Sequence, residues 1–143
     1  MTNEKAPVHA VFWLISVVAL IWNGLGVLNF FMQMNPEVLA AMPESHRVIV
    51  ETRPVWATVG VILAVFGGTL GCLLLLLRRS VAMWFMLISL VGVILQLIPN
   101  LGMIGSSIDP TPFEIVMMIV MPPVVAALLL WFATFSVRKG WIR

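Results

Sequence analysis

Apolar residues run along this chain in four long blocks separated by short polar segments. No Asp, Glu, Lys or Arg occurs between Lys5 and Glu37, and the same holds for 54–77, 80–108 and 115–137. A helix needs about 20 apolar residues to cross ~30 Å of hydrocarbon, and each block has room for one. The blocks are continuous, as in Leu73-Leu74-Leu75-Leu76-Leu77. A transmembrane β-barrel would instead alternate in polarity over segments of roughly ten residues, so the pattern excludes it. The expectation is an all-α polytopic membrane protein: one integral domain, 1–143, built as an antiparallel bundle of four spans near 8–34, 55–77, 81–98 and 113–137.

The connections add detail. Arg78-Arg79-Ser80 is so short that the second and third spans must form an antiparallel hairpin. The stretch from Asn35 to Arg53 carries helix signals of its own. Asn35-Pro36-Glu37 reads as an N-cap, a proline at the first helical position and an acid in the first turn. Pro43 ends that piece, and a second one runs from Ser45 to Val50. Val48, Ile49 and Val50 beside polar neighbours place this second piece on the mouth of the bundle or among headgroups. Thr111-Pro112-Phe113-Glu114 is a capping-box pattern at the start of the fourth span, which accounts for Glu114 at the membrane boundary. Pro122 and Pro123 interrupt that span. They leave the carbonyls of Met118 and Ile119 without helical partners and predict a kink, with the freed carbonyls bonded by a neighbouring polar group or water.

Composition confirms the class and charge gives an orientation. Of 143 residues, 62% are hydrophobic, with eight Lys and Arg and six Asp and Glu; the mean hydropathy is +1.10. Soluble domains are about half apolar and a quarter charged, so a water-soluble monomer is excluded. Lys5, Arg78, Arg79, Arg138, Lys139 and Arg143 fall at one end of the bundle. Arg47 and Arg53 fall at the other, with Glu37, Glu44, Glu51, Asp109 and Glu114. The positive-inside rule then puts both termini in the cytoplasm, and it explains the basic pI of 9.3 without any nucleic-acid partner. Trp13, Trp84 and Trp131 suit one aromatic belt and Trp56 the other, while Trp22 lies too deep for either. The first apolar block is too long for a signal-peptide core and no A-x-A site follows it, so it is expected to remain as a span.

Small and polar residues within the spans form stripes. Gly60, Ala64, Gly67, Gly68 and Gly71 recur along one side of the second span, the spacing that lets another helix backbone approach closely. Ser16, Asn23 and Gly26, with Asn29 and Gln33 beyond them, share a side of the first span. Ser89, Gly92, Gln96 and Asn100 share a side of the third. Ser16, Asn23, Ser89 and Gln96 are the candidate polar interior. Asn23 and Gln96 each lie about 15 residues along their spans, ~22 Å at 1.5 Å per residue, and so are expected to meet at one depth. Two readings stand beside each other: an interhelical hydrogen bond that holds the bundle, or a polar lining for a small neutral solute. The segment 12–23 also matches 85–96 at six of twelve positions with a constant offset of 73, which raises a two-plus-two repeat.

Chemistry has little purchase. Cys72 is a single cysteine beside Gly71, read as a small apolar filler. His9 and His46 fall at opposite ends of the bundle, and His46 between Glu44 and Glu51 reads as a solvated loop residue. Met117 and Met121 lie one turn apart and Met32 and Met34 flank Gln33, yet methionine is a pliable core filler and no His or Cys accompanies them. No nucleophile has a recognisable base. Neither enzyme activity nor a metal or other cofactor is expected.

Trp22-Asn23-Gly24-x-Gly26, Gly67-Gly68-x-x-Gly71 leading into the leucines and Arg78, and Ala82, Phe85 and Ser89-Leu90-x-Gly92 form a pattern over Trp13–Gln96. It resembles a group of small four-span bacterial inner-membrane proteins, many of them catalogued as sugar transporters. Where that group often carries an acid followed by tyrosine, this chain has Asn29-Phe30 and contains no tyrosine. The resemblance implies a bacterial inner membrane and transport of a small neutral, sugar-like solute by an oligomer. The residues alone point elsewhere, to an accessory or scaffold subunit packing through its glycine stripe against a larger membrane complex. Lipid is a partner in either case.

Overall fold

The computed structural model describes residues 7–143 other than positions 107 and 109; Lys5 and Asp109, used above for orientation, lie outside the described residues. Those residues form helices and turns, with no strand among them. The first span is α1 (Ala10–Gln33). Two short helices follow, α2 (Pro36–Ala41) and α3 (Glu44–Thr52), then α4 (Val55–Leu76) and α5 (Ala82–Leu101). The fourth span comprises α6 (Pro112–Ile115), a π-helical turn (Val116–Val120) and α7 (Met121–Arg138). Among the described residues, four helices are therefore long and apolar enough to cross a membrane.

Local signals explain the ends of these helices. The Asn35 side chain accepts hydrogen bonds from the backbone N–H groups of Glu37 and Val38 at the start of α2. Thr111 and Glu114 form the complete capping box of α6. At the α4–α5 turn, Arg78 adopts a left-handed φ of 55°. Its N–H donates to Leu75 O and that of Arg79 to Leu74 O, each at 2.8 Å. This is the Schellman closure, made here with arginine where glycine is usual. The third span runs past Pro99 to Leu101, beyond the expected end at 98. There the Asn100 side chain donates to Met118 O at 3.3 Å across to the fourth span, tying down the last turn.

α4 is packed against both α1 and α5, and α5 in turn against α7. The α4–α5 contact is the closest, and its cause is the glycine stripe. A Cβ on Gly92 would stand 2.5 Å from both Gly60 O and Ala64 N, and one on Gly60 would stand 2.7 Å from Leu95 Cβ. Gly67 faces the α5 backbone at Phe85 and Ser89, and Gly71 faces the Met86 side chain. Ser89 Oγ donates to Ala64 O at 2.7 Å across the same crossing. The stripe is thus covered within its own chain, by α5 along most of its length and by Asn23 of α1 at Gly68, and the short turn between α4 and α5 holds α5 against it.

At the hairpin end, Phe12, Cys72, Leu75, Ala82, Met86, Leu129, Phe132, Ala133 and Ile142 form the main core. Phe12 is 1% exposed and packs on Phe132 and Trp141, with ring centroids 5.7 and 5.9 Å away. The C-terminal residues dock into the turn: Arg143 N–H donates to Arg78 O and Ser80 N–H to Arg143 O, at 3.1 and 3.0 Å. Arg78 Nε also donates to Trp141 O at 2.8 Å. The matched segments 12–23 and 85–96 play different parts. Ser16 donates within α1 to Phe12 O, whereas Ser89 crosses to α4.

Candidate functional site: an amphipathic cavity under a helical roof

Away from the hairpin end, α1 and the fourth span diverge, and a cavity of about 680 Å³ lies between them with α4 and α5 behind it. Along α5 it extends from Met86 to Asn100, ~21 Å at 1.5 Å per residue. Its size is that of a small-molecule site, as is its composition of mostly apolar walls with a few polar groups.

The polar groups of the cavity come mainly from two helices, interleaved with Trp22, Leu25 and Phe30 of α1 and Met86 and Val93 of α5. Asn23, Asn29 and Gln33 from α1 and Ser89, Gln96 and Asn100 from α5 line one side. These are the two polar stripes of the sequence, and the helical period turns both toward the same space. Met117, Met118, Val125, Ala126 and Leu129 of the fourth span line the other. Below the level of α3 no charged side chain lines the cavity among the described residues.

α3 lies across the end of the cavity as a roof. Ile49 and Val50 line the cavity beneath it. One edge is fixed to α1: Arg53 donates to Gln33 Oε1 at 2.7 Å, and His46 Nε2 pairs with the Gln33 amide nitrogen at 3.3 Å. The other edge is fixed to the fourth span by the Ser45 hydroxyl, which donates to the Glu114 carboxylate. Burial holds the His46 imidazole below its ordinary pKa, and the Arg53 charge adds to this while Glu114 opposes it. Burial also lowers the Arg53 guanidinium from its usual value. The reading of His46 as a solvated loop residue is corrected here. It sits in α3 at a position that folds back over the bundle, and the ring is half-buried.

Of the four candidate interior residues, Asn23, Ser89 and Gln96 line the cavity and Ser16 does not, being buried against its own helix in the hairpin-end core. Asn23 and Gln96 share no hydrogen bond. Asn23 Nδ2 donates to Ala19 O at 2.9 Å and to Cys72 Sγ at 3.6 Å, and its Oδ1 sits where a Cβ on Gly68 would be. The reason is geometric: the missing side chain of Gly68 leaves room that draws Asn23 onto α4. Gln96 and Asn29 line the cavity with no side-chain hydrogen bond to any described residue. Pro122 also lines it, one turn after Met118, whose carbonyl is held by Asn100. The proline pair therefore sits below a π-helical turn that widens the helix.

Sequence reasoning placed this helix on the bundle mouth or among headgroups and missed its inward-facing polar residues. Ser45, His46 and Arg53 lie in a connection whose polar residues gave no sign of facing inward. The only signal was the apolar triplet Val48-Ile49-Val50. Among the described residues no group of three or more His, Cys, Asp or Glu is placed to hold a metal ion.

Fold and site together define a four-span helical membrane protein with a roofed, amide-lined cavity between its first and last spans. Comparison with protein-family models, with curated proteins and with solved structures finds no match, so this class rests on the geometry of the chain itself.

Proposed function

We propose that this chain binds a small uncharged solute in the cavity and carries it across a bacterial inner membrane, in a non-catalytic role. The observation that carries the reading is the pair of unengaged amides, Asn29 and Gln96, lining a cavity that contains no charge below its roof. An amide offers both donors and an acceptor to hydroxyl groups without demanding a counter-ion. A charged solute there would lose its hydration with nothing to replace it. The sugar-like substrate implied by the resemblance meets the same requirement. The solute site lies within a single chain. The native mass of the protein in nanodiscs reports whether it works as a homo-oligomer or within a larger complex.

The orientation we propose has the hairpin end in the cytoplasm, because Arg78, Arg79, Arg138, Lys139 and Arg143 gather there. Labelling of an Ala40→Cys variant in a Cys72→Ala background tests it, and reaction only from the cytoplasmic side refutes it. The function is tested by thermal unfolding with a panel of neutral and charged solutes, followed by uptake of the best ligand into proteoliposomes. Gln96→Leu should fold normally, because the amide has no hydrogen-bond partner among the described residues to strand, and should show weakened ligand-dependent stabilisation and uptake. Unaltered stabilisation and uptake in Gln96→Leu would overturn the reading.

A further inference from the structure

We propose that the ligand of this cavity is an uncharged single-chain amphiphile, a hydroxylated head on one alkyl or acyl chain, and that it enters from the bilayer between α1 and the fourth span. The inference rests on the cavity being a solute site and goes further, to the chemistry of the solute and its route.

The route follows from which walls are fastened. The roof is tied on both edges, to α1 through Gln33 and to the fourth span through Glu114, and its underside is apolar at Ile49 and Val50. The floor is the hairpin-end core, where Phe12 packs on Phe132. The remaining side has no such closure. Leu25 and Met117 both line the cavity, yet they are 58% and 39% exposed. Leu25 belongs to α1 and Met117 to the π-helical turn of the fourth span, and we take them as the two rims of the entry route. Both positions lie within the apolar length of their spans. A solute arriving there comes out of lipid, which a free sugar does not enter.

The shape of the solute follows from the polar groups that are already occupied. Asn23 donates to Ala19 O and Cys72 Sγ with its Oδ1 packed against Gly68, and Ser89 donates to Ala64 O. The deep half of the cavity therefore offers mainly Trp22, Met86, Val93, Val125, Ala126 and Leu129. The unengaged amides, Asn29 and Gln96, lie nearer the roof, within about two turns of the ends of their helices. A head with hydroxyl groups binds between them while its chain runs down the apolar half. This is the orientation the same molecule has in the adjacent leaflet, so it enters without turning over. The ~21 Å length suits a head with a medium chain.

The test uses the full-length protein in nanodiscs, with binding read by native mass spectrometry and thermal unfolding. The probes are glycerol monoesters from hexanoyl to palmitoyl, with glycerol, glucose and dodecanoate as comparators. Stabilisation should rise with chain length and level off once the cavity is full, and neither glycerol nor glucose should match it. Gln96→Leu should weaken the monoester on the order of tenfold, the loss of about one hydrogen bond. Leu25→Trp, on the exposed rim, should slow or abolish loading while leaving the fold intact. Binding of glucose without the monoester would overturn the amphiphile and leave the neutral-solute reading standing. Tighter binding of dodecanoate than of the monoester would overturn the uncharged head. Failure of every monoester would overturn the amphiphile, while the neutral-solute reading stands or falls on its own solute panel.

Discussion

Gly92→Ala should separate the two best-packed spans. The added methyl would stand 2.5 Å from Gly60 O and from Ala64 N and 2.9 Å from Leu63 Cβ, and ordinary contact begins near 3.4 Å. Two of these neighbours are backbone atoms of α4, so no rotamer change relieves the clash. The helices must move apart by ~0.9 Å at this level, an overpacking that costs about 1–3 kcal/mol. Ser89 lies one turn away, and its 2.7 Å bond to Ala64 O would stretch with the crossing, at about 1 kcal/mol more. The better helix propensity of alanine returns up to ~1 kcal/mol. The net expectation is a loss of about 1–3 kcal/mol, read by SDS titration in mixed micelles with helicity followed by circular dichroism. Gly24→Ala is the control, since nothing lies within 4 Å of its Cβ position, and it should be neutral or slightly stabilising. A Gly60→Ala/Gly92→Ala double variant should lose less than the sum of its singles, because one displacement relieves both clashes. If Gly92→Ala is as stable as Gly24→Ala, the close approach of α4 and α5 is refuted.

Three further outcomes follow from the cavity and its supports. Asn100→Leu frees Met118 O in the fourth span and should cost about 1–3 kcal/mol, with faster hydrogen exchange over Val116–Met121 as the local readout; unchanged exchange there would refute the clamp. Asn23→Leu should destabilise the fold where Gln96→Leu does not, because Asn23 is packed against Gly68 and bonded to Ala19 while Gln96 is not bonded; equal melting points would contradict that division. His46 is held below its ordinary pKa in the folded chain, so the unfolded chain binds the extra proton and stability rises with pH across that interval. The contribution is present above the unfolded value of about 6.5 and fades as pH falls through the folded one. Melting curves from about pH 8 to about pH 5 should therefore show a decline that His46→Gln flattens.

The four spans were legible because a membrane imposes one rule that composition alone reveals: long runs without charge. The capping residues Asn35, Thr111 and Glu114 were legible for a different reason, since each acts on backbone within four positions of itself. Asn23 shows where that legibility stops. Its depth was readable from helix rise, but its partner was decided by the absent side chain of Gly68 on another helix, which one sequence does not pair with it. The glycine stripe made the same point from the other side. Its spacing announced a close neighbour, and only the short turn after α4, read together with it, identifies that neighbour as chiefly α5. Ser45, His46 and Arg53 were the hardest to see, because they become part of the site only when α3 folds back across the bundle and bonds to Gln33 and Glu114, residues separated by eighty positions. A cavity of this kind has no local motif, since its chemistry comes from amides left unpaired, and an amide is known to be unpaired only after every neighbour has been placed. That is why Gln96, an ordinary polar residue in the sequence, becomes the most informative side chain to replace.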